Sequence, residues 1–286
     1  MFSTLSKRIA AGIVAAAALA GAGAAHAEGE ALHPRNVNFS FEGPFGTFDQ
    51  GQLQRGYRVY EQVCAACHSM NLMSYRNLGQ EGGPFFDEEY PDEARNPYVA
   101  TIAAQIEVAD VDTETGEPIM RPATPADRFR SPFPNATAAA FANGGAAPPD
   151  LSVITKARHG GAEYIYSLLT GYREPPAGLR IGAGQYYNAY MAGDLTPFWD
   201  GDEHHVPPGG FIAMAPPLMD GAVTYDDGTQ PTVDQMAQDV AAFLAWAGDP
   251  HQVERKKTGL VVLIYLLGFA LLTWFSYRRI WRNVAH

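Results

Sequence analysis

Val63 to Met70 reads VCAACHSM and holds both cysteines of this 286-residue chain. The cysteines stand two residues apart, with His68 directly after the second. Four chemistries use such a spacing. A disulfide between Cys64 and Cys67 would close a tiny loop and constrain little of the unfolded chain. A structural zinc site needs four ligands, and no second cysteine pair exists. A thioredoxin-like dithiol sits at a helix start after a strand. Here the preceding residues Leu53, Tyr57, Tyr60, Val63 and Cys67 recur at three- and four-residue steps, the spacing of an amphipathic helix. The fourth chemistry is covalent haem c, in which two thiols on one turn add to the two porphyrin vinyl groups and the following histidine is directed at the iron. The motif is read as that site, with one covalent haem.

The ends of the chain agree with export. Lys7 and Arg8 precede an apolar run rich in alanine and glycine, and Ala25-His26-Ala27 forms a small-x-small cleavage pattern, so residues 1–27 are expected to be a removed signal peptide. Thr258 to Tyr277 is an uncharged stretch of about twenty residues, enough for a hydrocarbon core of about 30 Å. Trp274, Tyr277 and Trp281 fit an interfacial belt. The expected layout is a periplasmic domain over 28–253 and an anchor with a short cytoplasmic tail over 254–286. The location is then a bacterial inner membrane, crossed once.

Residues 28–253 carry twelve basic and thirty acidic side chains, a net of −18 against −11 for the whole chain. Such a surface repels phosphate and excludes nucleic acid as a partner. It favours a basic protein. Candidate docking acids are Asp87, Glu88, Glu89, Asp92 and Glu93, with a second cluster from Glu107 to Glu117.

A methionine as second axial ligand would close the iron and raise its potential for electron transfer. Met214, in GGFIAMAPPLMDG, is the best placed, because Pro216 and Pro217 stiffen the backbone just after it. Met219 is the local rival. Met191, Met120 and Met236 read as packing or surface residues. Further on, Thr232 and Gln235 suggest a capping box opening a helix. Its apolar stripe is Val233, Met236, Val240, Phe243, Leu244 and Ala247, and Gly248 reads as its stop.

RGYRVYEQVCAACHSM, NGGAAPPDLSVITKARHGGAEYIYSLLTGY and the blocks around Met214, followed by one C-terminal span, closely resemble the cytochrome c1 family, the haem subunits of cytochrome bc1 complexes. The resemblance implies a mostly α-helical, enlarged cytochrome c fold with long loops and one transmembrane helix. It implies that Cys64 and Cys67 form the thioethers, and that His68 and Met214 are the axial ligands. Arg158 would pair with a haem propionate, and Pro148, Pro149 and Tyr164 would line the pocket. In the late helix of such folds a close crossing over the helix before CxxCH would be permitted by Gly56. Cytochrome b, a Rieske iron–sulfur protein, a soluble basic cytochrome c and membrane lipid are the implied partners, in a dimeric complex. The implied work is one-electron transfer, with no bond-making chemistry asked of the side chains. An oxidase-linked membrane-anchored cytochrome, or a haem enzyme or gas sensor with an open iron, shares parts of the pattern.

Two departures stand out. Met191 to Gly210 is longer than in mitochondrial relatives and is expected to be a solvated loop, although His204 and His205 invite a metal. Some bacterial relatives brace this region with a disulfide. No cysteine is left for one here, so packing or a partner must hold it.

Overall fold

A computed structural model describes residues 31–283; the expected signal peptide lies outside the described residues. Among these the fold is mostly helical, with seven α-helices and two short antiparallel strand pairs. In chain order the elements are α1 (Gln50–Gln62), α2 (Pro97–Ala104), β1 (Glu107–Val111), β2 (Pro118–Pro122), α3 (Ala136–Ala142), α4 (Ile154–Ala157), α5 (Gly161–Leu169), β3 (Tyr186–Asn188), β4 (Gly210–Ile212), α6 (Val233–Gly248) and α7 (Gln252–Trp281).

The helix read before the cysteines is α1, and Asp49 caps it by accepting from the Gln52 amide at 2.7 Å. It stops at Gln62, and Cys64–Ala66 tightens into a 3₁₀ turn, so Cys67 leaves the helical stripe. Leu53, Gly56, Tyr57, Val59 and Tyr60 form the buried face. They pack on α6, where Met236, Val240, Phe243, Leu244 and Ala247 are buried as their spacing predicted. At the crossing, a Cβ on Gly56 would lie 2.1 Å from the Asp239 carbonyl oxygen and 2.7 Å from the Phe243 Cβ. The absence of a side chain at Gly56 lets the two backbones meet.

Beside the crossing, Arg55 donates to Asp239 at 3.0 Å and to Asp227 at 2.7 Å. The Asp239 side chain is wholly buried, so the Arg55 guanidinium and the Gln235 amide at 2.9 Å replace its lost hydration. That use of Gln235 corrects the capping box. Thr232 does accept from the Gln235 amide, but the Gln235 side chain turns inward to Asp239 rather than back to the helix start. Gly248 is likewise the last helical residue rather than a left-handed stop. Its bare Cα faces the Thr155 hydroxyl, which a Cβ would approach to 3.0 Å.

The long stretch from Met191 to Gly210 is mostly exposed, as a solvated loop would be, and is tied down by packing. Leu195 is completely buried and, with Leu179 and Tyr187, builds a second small core against Trp199, Val206 and Phe211. β4 pairs with β3, and Leu179 bridges to Trp199. The anchor has a simple cause: the stretch carries its own large apolar residues, and Leu179, Tyr187 and Phe211 outside it receive them. Its charges, Asp194, Asp200, Asp202, Glu203, His204 and His205, remain on the exterior.

α7 is the expected span and extends it at both ends to 30 residues, about 45 Å of helix. Its large apolar side chains from Leu260 to Ile280 are exposed throughout, which marks a helix long and apolar enough to cross a membrane. Its base is clamped to the domain. Asp249 accepts from Lys156 at 2.9 Å and from Arg255 at 2.7 Å, and Lys256 donates to the Phe41 carbonyl at 2.6 Å.

Replacing Gly56 by Ala should destabilise the folded domain by about 1–3 kcal/mol, the cost of forcing volume into a closed contact. Chemical denaturation followed by tryptophan fluorescence measures it, and an unchanged midpoint would contradict the crossing described here.

Candidate functional site

The turn that follows α1 gathers three reactive side chains. The Cys67 and His68 amides both donate to the Cys64 carbonyl, at 3.1 and 2.9 Å, so both thiols and the imidazole sit on one tight turn. Both thiols are free. Burial and the neighbouring Cys67 push the Cys64 thiol up to about 12. A redox nucleophile needs its thiolate stabilised, and burial opposes that at Cys64. Among the described residues there is no group of three or more His, Cys, Asp or Glu that could hold a metal ion.

His68 is oriented from outside the turn. Its Nδ1–H donates to the Pro149 carbonyl at 2.8 Å, which fixes the tautomer and leaves Nε2 as the nitrogen with a free lone pair. Burial lowers the affinity of His68 for a proton, against the opposing pull of that carbonyl and of Asp150. A neutral imidazole with one nitrogen anchored is the form that ligates iron.

Pro149 is itself held by its neighbour. Asp150 accepts from the Ser69 hydroxyl at 2.8 Å, from the Asn71 amide at 2.8 Å and from the Ser152 amide at 2.9 Å. The Leu151 amide adds a bond to the Ser69 carbonyl at 2.8 Å. Burial pushes the Asp150 carboxyl up, yet the hydrogen bonds from Ser152, Asn71 and Ser69 outweigh it and leave the group below the usual carboxylate range. Sequence spacing could not find this clasp, because its two halves are about eighty residues apart. The Asp-Leu-Ser run after the proline pair, an Asx-turn signal, is the one local hint.

Met214 stands two residues beyond β4 and is half-buried, whereas its rival Met219 is 69% exposed. The Tyr172 hydroxyl donates to the Met214 carbonyl at 3.1 Å. Arg158 is exposed and forms no ion pair among the described residues; its charge acts on Tyr164. Tyr164, half-buried on α5, places its hydroxyl 3.9 Å from the Met191 sulfur, which agrees with a packing role for Met191. His205 is turned to Asp202 at 2.8 Å and, with His204, belongs to no metal cluster among the described residues.

The structure therefore ties His68 to Pro149 and the Met214 backbone to Tyr172. Thiols, imidazole and thioether form the donor set of a covalently attached haem, and the chain places the first three on one turn. Residues 39–284 match the model of the Cytochrome C1 family. The chain belongs to that family. Among curated relatives it is similar to cytochrome c1 of Rhodospirillum rubrum, with 41% identity over 99% of this chain and 100% of that protein. It is 46% identical to the mitochondrial heme protein cytochrome c1-2 of Solanum tuberosum, over 83% of this chain and 81% of the relative. It is 42% identical to the mitochondrial cytochrome b-c1 complex catalytic subunit of Candida albicans, over 88% of this chain and 79% of the relative. The family match spans the CAACH turn, Met214 and α7 together.

Asp150→Ala strips acceptors from three donors at the clasp and should cost roughly 1–3 kcal/mol. The sign with pH follows from the depressed carboxyl. Its contribution is present above the unfolded value of about 3.9 and is lost as pH falls through the lower folded value. Thermal unfolding of wild type and variant across the acid range should converge at low pH, and a pH-independent gap would refute the assignment.

Proposed function

We propose that this chain is the haem subunit of a bacterial cytochrome bc1 complex, taking one electron from a Rieske iron–sulfur protein and passing it to a soluble cytochrome c. The observation that carries the reading is the family match running unbroken from the CAACH turn through Met214 to α7. The names of relatives as heme proteins and as a b-c1 complex subunit support it.

Cys64 and Cys67 would hold one haem c through thioethers, with His68 Nε2 and the Met214 sulfur as axial ligands. The group, when bound, supplies a reversible one-electron couple whose potential a methionine ligand raises. The chain's own residues hold and orient: Pro149 fixes the imidazole, Asp150 fixes Pro149, and Tyr172 fixes the Met214 peptide. Arg158, with no carboxylate of its own among the described residues, is available to a propionate. Pro148 and Tyr164 would complete the pocket.

The proposed layout is a signal peptide over 1–27, a periplasmic domain over 28–253 and a single-pass anchor over 254–286 in the inner membrane. The clamps at Asp249 and Lys256 would hold the domain against the lipid surface beside cytochrome b. The complex would be a dimer by analogy with the family. Of the candidate docking acids, Asp92, Glu93 and Asp110 are taken up by Arg95, Arg76 and Arg121. Glu88, Glu89, Glu107, Glu114 and Glu117 are exposed and carry no ion pair among the described residues, so they are the acids free to meet a basic cytochrome.

Purification in mild detergent tests the assignment. A b-type cytochrome and a Rieske protein should co-isolate with the chain, whereas isolation with an oxidase would replace this reading by that of an oxidase-linked carrier. Met214→Leu should abolish the methionine–iron charge-transfer band of the oxidised protein and open the reduced iron to carbon monoxide. A wild-type protein that already binds carbon monoxide readily would point to an open-iron enzyme or sensor. Electron transfer to a basic cytochrome c should slow as salt shortens the Debye length to about 8 Å at physiological ionic strength. A flat response would remove the acidic surface from the mechanism.

A further inference from the structure

The loop that carries Met214 has unusually little of its own to hold it. Its upstream end is fixed by β4, whose partners across the sheet are Tyr186 for Ile212, Tyr187 for Phe211 and Asn188 for Gly210. Its downstream end is fixed by Leu218, which is buried. Between them, Pro216 and Pro217 lack amide protons and cannot donate. Among the described residues, segment 213–218 makes one hydrogen bond, from the Tyr172 hydroxyl to the Met214 carbonyl.

Tyr172 is well founded to act as that hold. It follows α5 directly and pairs with Asn188 as an antiparallel bridge. The Ala189 amide donates to Gly171 and the Arg173 amide to Tyr187, so 171–173 forms a third line beside β3 and β4. The middle line is locked by Asn188, which is wholly buried. Its side chain donates to the Leu168 carbonyl at 2.8 Å and accepts from the Tyr190 amide at 3.0 Å. The Tyr172 backbone is therefore set by α5 and by the middle line, and its side chain reaches to the loop that follows β4.

We propose that Tyr172 is the positioning residue for Met214: its hydroxyl, anchored through α5 and Asn188, holds the Met214 peptide and so keeps the thioether in place as a ligand. The proposal rests on the reading of Met214 as the distal ligand. It assigns the retention of that ligand to one side-chain hydroxyl, where covalent bracing is absent.

The test compares Tyr172→Phe with Tyr187→Phe in the full-length, haem-loaded protein. Both changes delete one hydroxyl from the same small lobe; that of Tyr187 donates to the Pro208 carbonyl at 2.6 Å, away from the Met214 loop. In Tyr172→Phe the charge-transfer band should weaken and the midpoint potential should fall. Carbon monoxide should bind the reduced form about five- to tenfold faster, the factor that one ordinary hydrogen bond sets on a two-state opening. Tyr187→Phe should leave all three as in wild type. The proposal is overturned if Tyr172→Phe matches wild type in band, potential and carbon monoxide rate. It is overturned equally if Tyr187→Phe reproduces the change, since lobe packing would then be the cause. A wild-type protein without the band removes the ligand reading of Met214 itself, and this inference with it.

Discussion

The backbones of α1 and α6 meet at Gly56, where the Asp239 carbonyl leaves no room for a side chain. That close approach sets the position of everything downstream on α1, because the CAACH turn begins two residues past its end. The crossing is locked on one side by the Arg55–Asp239 pair and on the other by Phe243 packing on Tyr57 and Tyr60. Burying a carboxylate beside a guanidinium adds little net stability but is costly to half-break, so the pair acts as a register device for the two helices. The turn is thus mounted on a helix whose buried face packs on α6, the more deeply buried of the two.

From that mount the site extends by contacts that are remote in sequence. Pro149 and Asp150 close over the turn from about eighty residues away, and Tyr172 reaches Met214 across forty-two. The two proposed ligands are therefore held by different parts of the molecule. His68 is fixed by a clasp built on the main core, with an acidic side chain satisfied by three donors. The Met214 loop runs from β4, on a small lobe with its own core of Leu179, Tyr187 and Leu195, to Leu218 in the main core. The first is cross-linked by several hydrogen bonds, and the second by one.

Much of this architecture was legible in local sequence because local physics carries it. The cysteine spacing, the stripe on α6, the apolar run of α7 and the proline pair after Met214 each speak within a window of twenty residues or fewer. What was illegible depends on where side chains go once the chain has closed. Gln235 looked like half of a capping box because the spacing permits one. The buried Asp239 offered it a better use, since an uncompensated carboxylate costs more than a lost cap. Gly248 does end the helix, but without a left-handed turn, and its bare Cα serves as a contact surface for Thr155. Asp150 looked like one more acidic residue in an acidic chain. Its Ser152 donor is local, but the Ser69 and Asn71 donors that make it a clasp arrive only when the chain has folded.

In the stretch from Met191 to Gly210 composition told only part of the story. Its charges argued for solvent, and they do face solvent. Leu195, Trp199 and Val206 were nevertheless present, and apolar side chains of that size gain about 1.5–3 kcal/mol each when buried. A segment that carries them folds wherever partners of matching shape exist, and Leu179 and Tyr187 provide them. A chain whose two cysteines are assigned to the CAACH turn has no disulfide left for bracing this region. Packing then becomes the means of holding β4, and through β4 the loop of Met214. Beyond β4 the loop is packed again at Leu218, and between the two it makes one hydrogen bond, from the Tyr172 hydroxyl.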